Sequence, residues 1–283
     1  MGAAVAWGCA ASKTTVVRPG GAPAIAQTAS KADLIAKFNR EAGAATSINA
    51  SVTMTLTAGS AYTGVIKQYH QITGFILAQR PSSIRVIGQA PVVGTNIFDM
   101  ASDGETFEIF IPSQNKFVTG QANLERPSAT PIENLRPQHL VDAVFIDAIP
   151  ADAPVLLEQE REENAQFYVL TLIQGVASGG PQDWEIARRI WFDRADLSLA
   201  RIETYDPEGK LVSDMRYSGW AASGDAEYPR RISLERPESD YRLDIGVTKL
   251  TLNSTIPPDR FVLKQPAGTE LERVGENTPE AKP

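Results

Sequence analysis

Two histidines, one cysteine and 34 acidic side chains are what this 283-residue chain offers to chemistry. His70 and His139 form no HExxH pattern, and neither has a partner at metal-ligand spacing. No Gly-x-Ser-x-Gly elbow and no phosphate-cradling glycine loop occurs. The densest carboxylate run, Glu158–Glu163, reads as the solvated tip of a hairpin. Asp193 and Asp196 read as turn-forming side chains, with calcium the remote alternative. His139 lies in an apolar patch and reads as its partly buried helper, not as a ligand. No catalytic residue, metal or cofactor is therefore expected, and the chain is not read as an enzyme.

Cys9 follows a short apolar run, Val5-Ala6-Trp7-Gly8, and this placement resembles the lipobox of a bacterial lipoprotein. Cleavage there would leave Cys9 as a lipidated N-terminus, although residues 1–8 carry no basic start and are short for a signal core. Net charge is −7, and no basic stripe suited to nucleic acid is present. Hydrophobic residues make up 42%, enough for a large core, yet no run reaches the eighteen or so apolar residues of a membrane span.

These residues need a frame, and the frame reads as β. From Glu185 to Tyr217 three runs alternate with period two: Ile186, Ile190, Phe192; then Ala200, Ile202, Thr204; then Leu211, Met215, Tyr217. Asp193–Asp196 and Asp206-Pro207-Glu208-Gly209 separate them, and such short connections join only antiparallel neighbours. Upstream, residues 1–29 read as a lipobox-like start and flexible tether. Ser30 with Asp33 marks a helix N-terminus, and Leu34, Ile35, Phe38 and Ala42 share one face of a helix from Lys31 to about Ala44. Ile48, Ala50, Val52, Met54 and Leu56 then alternate as a strand. Further strands are expected at Tyr62–Gln68, Ile72–Ala78, Ser83–Ile87, Thr95–Ser102, Thr106–Ile111 and Lys116–Thr119, a spacing typical of a sheet that curls. Prolines 127, 131 and 137 break the pattern, and His139–Phe145 is helix-like and suited to lie across the sheet's opening. Strands resume at Val155–Leu157, Gln166–Gln174 and Trp184–Phe192, and later at Arg231–Glu235, Tyr241–Ile245 and Thr248–Asn253. Phe261–Leu263 docks a last extended piece, and residues 267–283 read as a disordered tail. One sheet with two helices has more inward apolar positions than the helices cover, so a partner, the sheet's other half or a greasy ligand must meet the rest.

Three segments in order carry a resemblance. Gly74–Arg85, centred on Arg80-Pro81, resembles a strand–Arg-Pro–strand segment of Lol-type proteins, the carriers and outer-membrane acceptors of bacterial lipoproteins. Asp103-Gly104 leading into Phe107-Glu108-Ile109-Phe110 is similar to the strand after it, and Leu252-Asn253 through Ile256-Pro257 and Phe261 to Pro266 resembles the C-terminal strand and hook. The resemblance spans residues 30–266, taken as one domain. It implies a mainly β, α+β fold: a curled antiparallel sheet forming an incomplete barrel, with helices over the opening and an apolar cavity for acyl chains of lipoproteins or lipids. Val52, Met54, Leu56, Ile76, Phe107, Ile109, Ile190, Phe192, Ile202 and Met215 would line that cavity. Leu140, Val144 and Phe145 would belong to the lid, and Arg80 would bond to it and set how readily it opens. Cys9 points to the anchored acceptor, and Ala10 is not the aspartate that holds enteric lipoproteins at the inner membrane. The acceptor's membrane-inserting loop would correspond to Ala90–Gly94, with Val92 and Val93 in contact with lipid. A monomer on the periplasmic face of the outer membrane is expected, with acyl chains and a periplasmic carrier protein as partners. The alternatives are a glycolipid-binding or envelope-sensing module on the same fold, and a structural envelope lipoprotein without ligand.

Overall fold

The computed structural model describes residues 26–59, 67–68, 70–122, 136–162, 165–176 and 183–274. Helix α1, Lys31–Ala44, starts where the capping box requires: Ser30 Oγ accepts from the Asp33 amide at 3.2 Å, and Asp33 Oδ2 accepts from the Ser30 amide at 3.1 Å. The Ser30 hydroxyl, which donates to Asp33 Oδ2 at 2.6 Å, and then the Ser30 amide lower the Asp33 pKa. Its C-terminus has no basic residue in the last turn and ends in extended backbone at Ala45. Side chains from distant strands cap it instead: Asn253 Nδ2 donates to Ala44 O at 2.8 Å, and Arg80 Nη2 to Ala42 O at 3.1 Å. Leu34, Phe38 and Ala42 form the buried stripe.

Strands β1 (Ser47–Ala58), β3 (Ile72–Gln79), β4 (Ser83–Gln89), β5 (Asn96–Ser102), β6 (Thr106–Ile111) and β7 (Lys116–Gln121) pair antiparallel, each with the next. β2, Lys67–Gln68, pairs with β1. Helix α2, Pro137–Val144, follows, then β8 (Val155–Glu162), β9 (Ala165–Val176), β10 (Asp183–Asp193), β11 (Leu199–Tyr205) and β12 (Leu211–Ser218). A small hairpin, β13 (Ala221–Ser223) and β14 (Ala226–Tyr228), stands apart. β15 (Arg231–Arg236), β16 (Tyr241–Leu252) and β17 (Glu270–Val274) complete the chain. The sheet order is β17-β7-β6-β5-β4-β3-β1-β16-β15-β12-β11-β10-β9-β8. β16 closes back on β1, so the first and last antiparallel blocks join through the N-terminal strand. The sheet curls without closing into a barrel. The meander β10–β11–β12 pairs antiparallel as expected, with Gly209 at φ +76° in its second turn. Bulges interrupt the alternation: one between Ile186 and Arg188 leaves Ile186 39% exposed, and another sets Leu199, not Ala200, opposite Phe192.

Four expectations change. Of the expected tip Glu158–Glu163, Glu158–Glu162 forms the outer half of β8 and Glu163 lies outside the described residues: Glu158 accepts from Thr171 Oγ1 at 2.7 Å, and Glu160 from Trp191 Nε1 at 3.1 Å. Charge alone cannot separate a solvated tip from an edge strand that charges protect. Tyr241–Leu252 is one strand, carried past a register shift at its partners Ser51 and Val52. Pro258–Phe261 is a 3-10 turn that buries Phe261. Glu270–Val274, expected in a disordered tail, forms β17 parallel to β7, with Lys116 paired to Glu272 at 2.7 Å. Its polarity suits an edge strand with one wet face. Of the expected strand Tyr62–Gln68, residues 62–66 lie outside the described residues.

The three Lol-like segments touch one another. Gly104, at φ +100°, leaves no room for a Cβ, which would stand 1.9 Å from Ser82 Oγ. Ser82 Oγ donates to Asp103 O at 3.2 Å, so the Arg-Pro-Ser turn and the Asp-Gly turn pack as one unit. Arg85 grips Asp99 with Nε and Nη2 at 3.0 and 2.8 Å, and its Nη1 donates to Arg260 O at 3.1 Å, holding the C-terminal hook against β4. On the outer face of the meander, Trp191 lies between the Arg189 and Arg201 guanidiniums at 4.7 and 4.9 Å.

Candidate functional site

The inner face of the sheet carries two continuous apolar rungs. One runs Ala50, Ile76, Val86, Met100, Ile109, Val118 from β1 to β7. The other runs Leu56, Leu243, Leu234, Met215, Ile202, Ile190, Leu170 from β1 to β9. Cross-strand pairing thus gathers Ile76 and Ile109 on one rung and Leu56, Met215, Ile202 and Ile190 on the other. Val52, Met54, Phe107 and Phe192 are buried in the same core. Both helices lie on this surface. Phe38 of α1 meets Phe192 edge to face at 6.3 Å, and Leu140, Val141 and Val144 of α2, with Phe145 after it, sink into the core. Residues 123–135, which lead into this helix, lie outside the described residues.

The second helix is apolar beneath but held by polar bonds at its end. Tyr228 Oη of the β13–β14 hairpin donates to Val144 O at 2.9 Å and Tyr217 Oη of β12 to Ala143 O at 3.4 Å, capping the helix. Burial raises both tyrosine pKa values far above the ordinary range, so both stay donors. Beyond the helix, Asn39 of α1 and Ile149 exchange two bonds, 3.1 and 2.8 Å, and Arg188 Nη1 donates to Asp147 O at 2.8 Å.

Arg80 joins both covers to the sheet. From the end of β3 its Nε donates to Ala45 O at 3.2 Å and its Nη2 to Ala42 O at 3.1 Å and Ile146 O at 2.8 Å. Its Nη1 meets Asp147 Oδ1 at 3.3 Å. The guanidinium also lies 4.8 Å over the Phe145 ring. One planar fork thereby spans α1 and the segment after α2, a geometry lysine cannot copy. The gap that it closes holds only about 10 Å³, roughly one water.

Beside α2 a larger cavity of about 400 Å³ remains. Its lining mixes Ile202, Met215, Phe145 and Ile146 with Arg136, His139, Asp142, Arg188 and Arg236. Of the ten expected cavity residues only Ile202 and Met215 reach it. The other eight lie in the hydrophobic core or, for Leu56, against it. Missed from the sequence were Tyr217, Tyr228, Tyr241, Asn39 and Arg188. Their partners lie far along the chain, so no local pattern announces them.

His139 shares a 2.7 Å hydrogen bond, through Nδ1, with Tyr241 Oη. Burial first, then the charges of Arg236 and Arg136, hold its pKa down at about 3. The unfolded chain takes up this proton below about pH 6.5, the folded chain only near 3. The contribution to stability is therefore complete above 6.5 and is lost as pH falls. Burial raises Asp142 and Glu41, which act in the opposite sense because acid neutralises a buried charge. Comparison with His139→Gln isolates the histidine. In urea titrations, the stability advantage of the wild type over the variant should shrink by roughly 1 kcal/mol per pH unit between about pH 6 and 4. Parallel curves would refute the buried neutral imidazole.

Asp193 and Asp196 accept from the Ala195 and Ser198 amides at 2.8 Å each, as turn formers do. His70 is exposed. Cys9 lies outside the described residues. Val92 and Val93 stand at the tip between β4 and β5, Val92 fully exposed at φ +73° and Val93 73% exposed. Among the described residues no group of three or more His, Cys, Asp or Glu could hold a metal, and no helix is long and apolar enough to cross a membrane.

No family model matches the chain, and no curated protein does. Among solved structures it is similar to a LolA superfamily protein from Nitrosomonas europaea, at 15% identity and TM-score 0.48, covering 83% of this chain and 99% of that one. It is similar to a DUF1329 family protein from Desulfovibrio piger at 12% identity and TM-score 0.49, covering 81% and 95%. A Vibrio parahaemolyticus domain, described in terms of outer membrane lipoprotein sorting, matches at 12% identity and TM-score 0.44, covering 80% and 94%.

Proposed function

We propose that this chain is a Lol-type binding protein that takes acyl chains of lipoproteins or lipids between its curled sheet and its two helices. It works without cofactor or covalent chemistry, and is tethered through Cys9 to the periplasmic side of the outer membrane. The observation that carries the reading is Arg80. A single side chain bonds carbonyls of α1 and of the segment after α2, above an inner face of aliphatic and aromatic rungs. Breaking these polar bonds costs about 2–3 kcal/mol net, well below their strength in isolation, because both partners are solvated again. Lifting the helices would then expose the rungs to an alkyl chain, at about 0.8 kcal/mol for each methylene buried. A 400 Å³ opening beside α2 gives a place for entry. Native mass spectrometry of the protein extracted gently from its membrane tests the reading. Acyl-bearing ligands should travel with it. A bare chain at every extraction condition would leave an anchored scaffold instead.

Val92 supports a membrane contact. A β-branched residue in the left-handed region costs on the order of 1–2 kcal/mol, and this one points nothing but methyl groups into solvent. With Cys9 replaced, so that no anchor contributes, the Val92→Asp/Val93→Asp pair should lower vesicle binding at least about tenfold, given 1.5–3 kcal/mol per buried valine. Stability should stay within about 0.5 kcal/mol. Unchanged sedimentation with vesicles would remove the loop from the proposal.

A further inference from the structure

The β9–β10 hairpin runs past both of its neighbours as a bare two-stranded ribbon. β11 pairs with β10 no further than Arg188. β8 pairs with β9 no further than Leu172, with one more bond from the Ile173 amide to Pro154 O at 3.1 Å. β9 and β10 stay paired with each other out to Val176 and Asp183. Residues 177–182, which join them, lie outside the described residues.

This ribbon reverses the polarity of the rungs below it. By sequence Ile186 keeps step with the inward Ile190, but the register shift at Ala187 turns it to the outer face, opposite Ile173. Trp184 follows on that face, opposite Gly175, and is 49% exposed. Leu156 of β8, 53% exposed and paired with Thr171, extends the apolar patch sideways. The inner face of the ribbon carries Glu185 and Gln174 instead.

Strand pairing places the ribbon on one rim of the sheet. Through the pairs Thr73–Gln89, Ile72–Met54, Ala58–Tyr241, Tyr241–Arg236, Glu235–Asp214, Leu211–Tyr205, Thr204–Arg188 and Asp183–Val176, this rim runs from the end of β4 to the end of β9. The Val92–Val93 tip, which follows β4, therefore stands at the same rim, seven strand steps away. The turns between them are polar, with Asp206, Glu208, Glu238 and Asp240 against Lys210.

We infer that the β9–β10 ribbon is a second membrane contact, in which Trp184 and Ile186 enter the boundary between lipid headgroups and acyl chains while the Val92–Val93 tip enters beside it. The inference rests on the membrane reading of that tip for the orientation of the rim alone. The ribbon stands on its own residues. An indole, apolar with one polar N–H, suits that boundary. A patch of a few side chains falls far short of the about 800 Å² per partner that a stable protein interface needs, whereas a bilayer sets no such minimum. The acidic turns offer nothing to anionic lipid, so the attraction is apolar and zwitterionic lipid suffices. The tether permits the orientation. Gln27 is held at the opposite rim by Arg194, but the eighteen residues from Cys9 to Ala26 reach up to about 60 Å, beyond the roughly 40 Å rise of the twelve-residue β1.

Phosphatidylcholine vesicles with brominated acyl chains, added to the full chain carrying Cys9→Ser and Trp7→Phe, test it through tryptophan quenching. Trp191 is buried, and Trp220 follows β12 at the opposite rim with its Nε1 bonded to Leu199 O, so Trp184 is the reporter. Emission should fall as vesicles are added. The fall should vanish in Trp184→Phe, which keeps an apolar ring and should bind within about twofold of the parent. Trp184→Asp/Ile186→Asp should lower sedimentation with vesicles at least about tenfold, with the thermal midpoint unchanged. Quenching is read on the parent, which keeps the test open if the aspartate pair folds poorly. Vesicle binding that needs Val92 and Val93, with Trp184 unquenched and the aspartate pair without effect, would overturn the second contact and leave the first standing. Absence of vesicle binding by the parent would overturn both. A blue shift of Trp184 on raising protein concentration without lipid, together with a dimer in sedimentation, would show a second copy covering the ribbon and overturn the membrane assignment.

Discussion

Replacement of Arg80 by leucine should free the lid while leaving the sheet folded. Amide exchange across Pro137–Ile149 should accelerate about a hundredfold, and a bound fatty acid should dissociate faster to a similar degree. Protection in β1 and β16 should fall far less. The size follows from what the guanidinium holds. It bonds three carbonyls and one carboxylate, and hydrogen bonds to a charged donor contribute about 1.5–3 kcal/mol each when buried. The side chain is 30% exposed, so water recovers much of this, and about 2–3 kcal/mol for the local opening is the reasonable net. That corresponds to the hundredfold. Leucine keeps apolar contact with Phe145, which spares the packing. Arg80→Lys should fall between, since one ammonium cannot reach carbonyls on both sides of the fork. Equal loss of protection in the lid and the sheet would make Arg80 a structural residue only.

The second large effect is global. Phe192→Ala should destabilise the protein by about 3–5 kcal/mol, seen as a drop in Tm of roughly 10 °C. Phe192 has no solvent exposure, and its ring meets that of Phe38 at 81°. An edge-to-face pair adds about 0.5–1.5 kcal/mol to the area that it buries. The measurement also reports on the resting state. If the helices seat as described, the void is dry and the cost is full. A loss under about 1 kcal/mol would mean that the helices stand off the sheet in solution and that Phe192 faces an open space.

The elements were largely legible in the sequence because their signals are local. Ser30 and Asp33 satisfy each other within one turn, and alternation along β1 and the meander registers which face is inner. The cover of the opening was legible as far as α2, since Leu140 and Val144 lie on one apolar helix face after a proline. Glu270–Val274 was not legible. An edge strand in a polar stretch is chosen by its neighbour β7, whose hydrogen-bonding groups need a partner, and not by its own side chains.

By itself the sequence determined the periods: which residues turn inward, where the chain turns, and that one helix precedes a long antiparallel series. Those are properties of neighbours within a few residues, where backbone geometry and side-chain type decide alone. Only the tertiary structure decided what the inward residues meet. It set eight of the ten expected cavity residues in or against the filled core and left Ile202 and Met215 in a lining shared with three arginines and two aspartates. It also brought Arg80 to carbonyls 35 to 66 residues away along the chain. Contacts at that separation depend on how the whole sheet curls, and no local pattern carries that information.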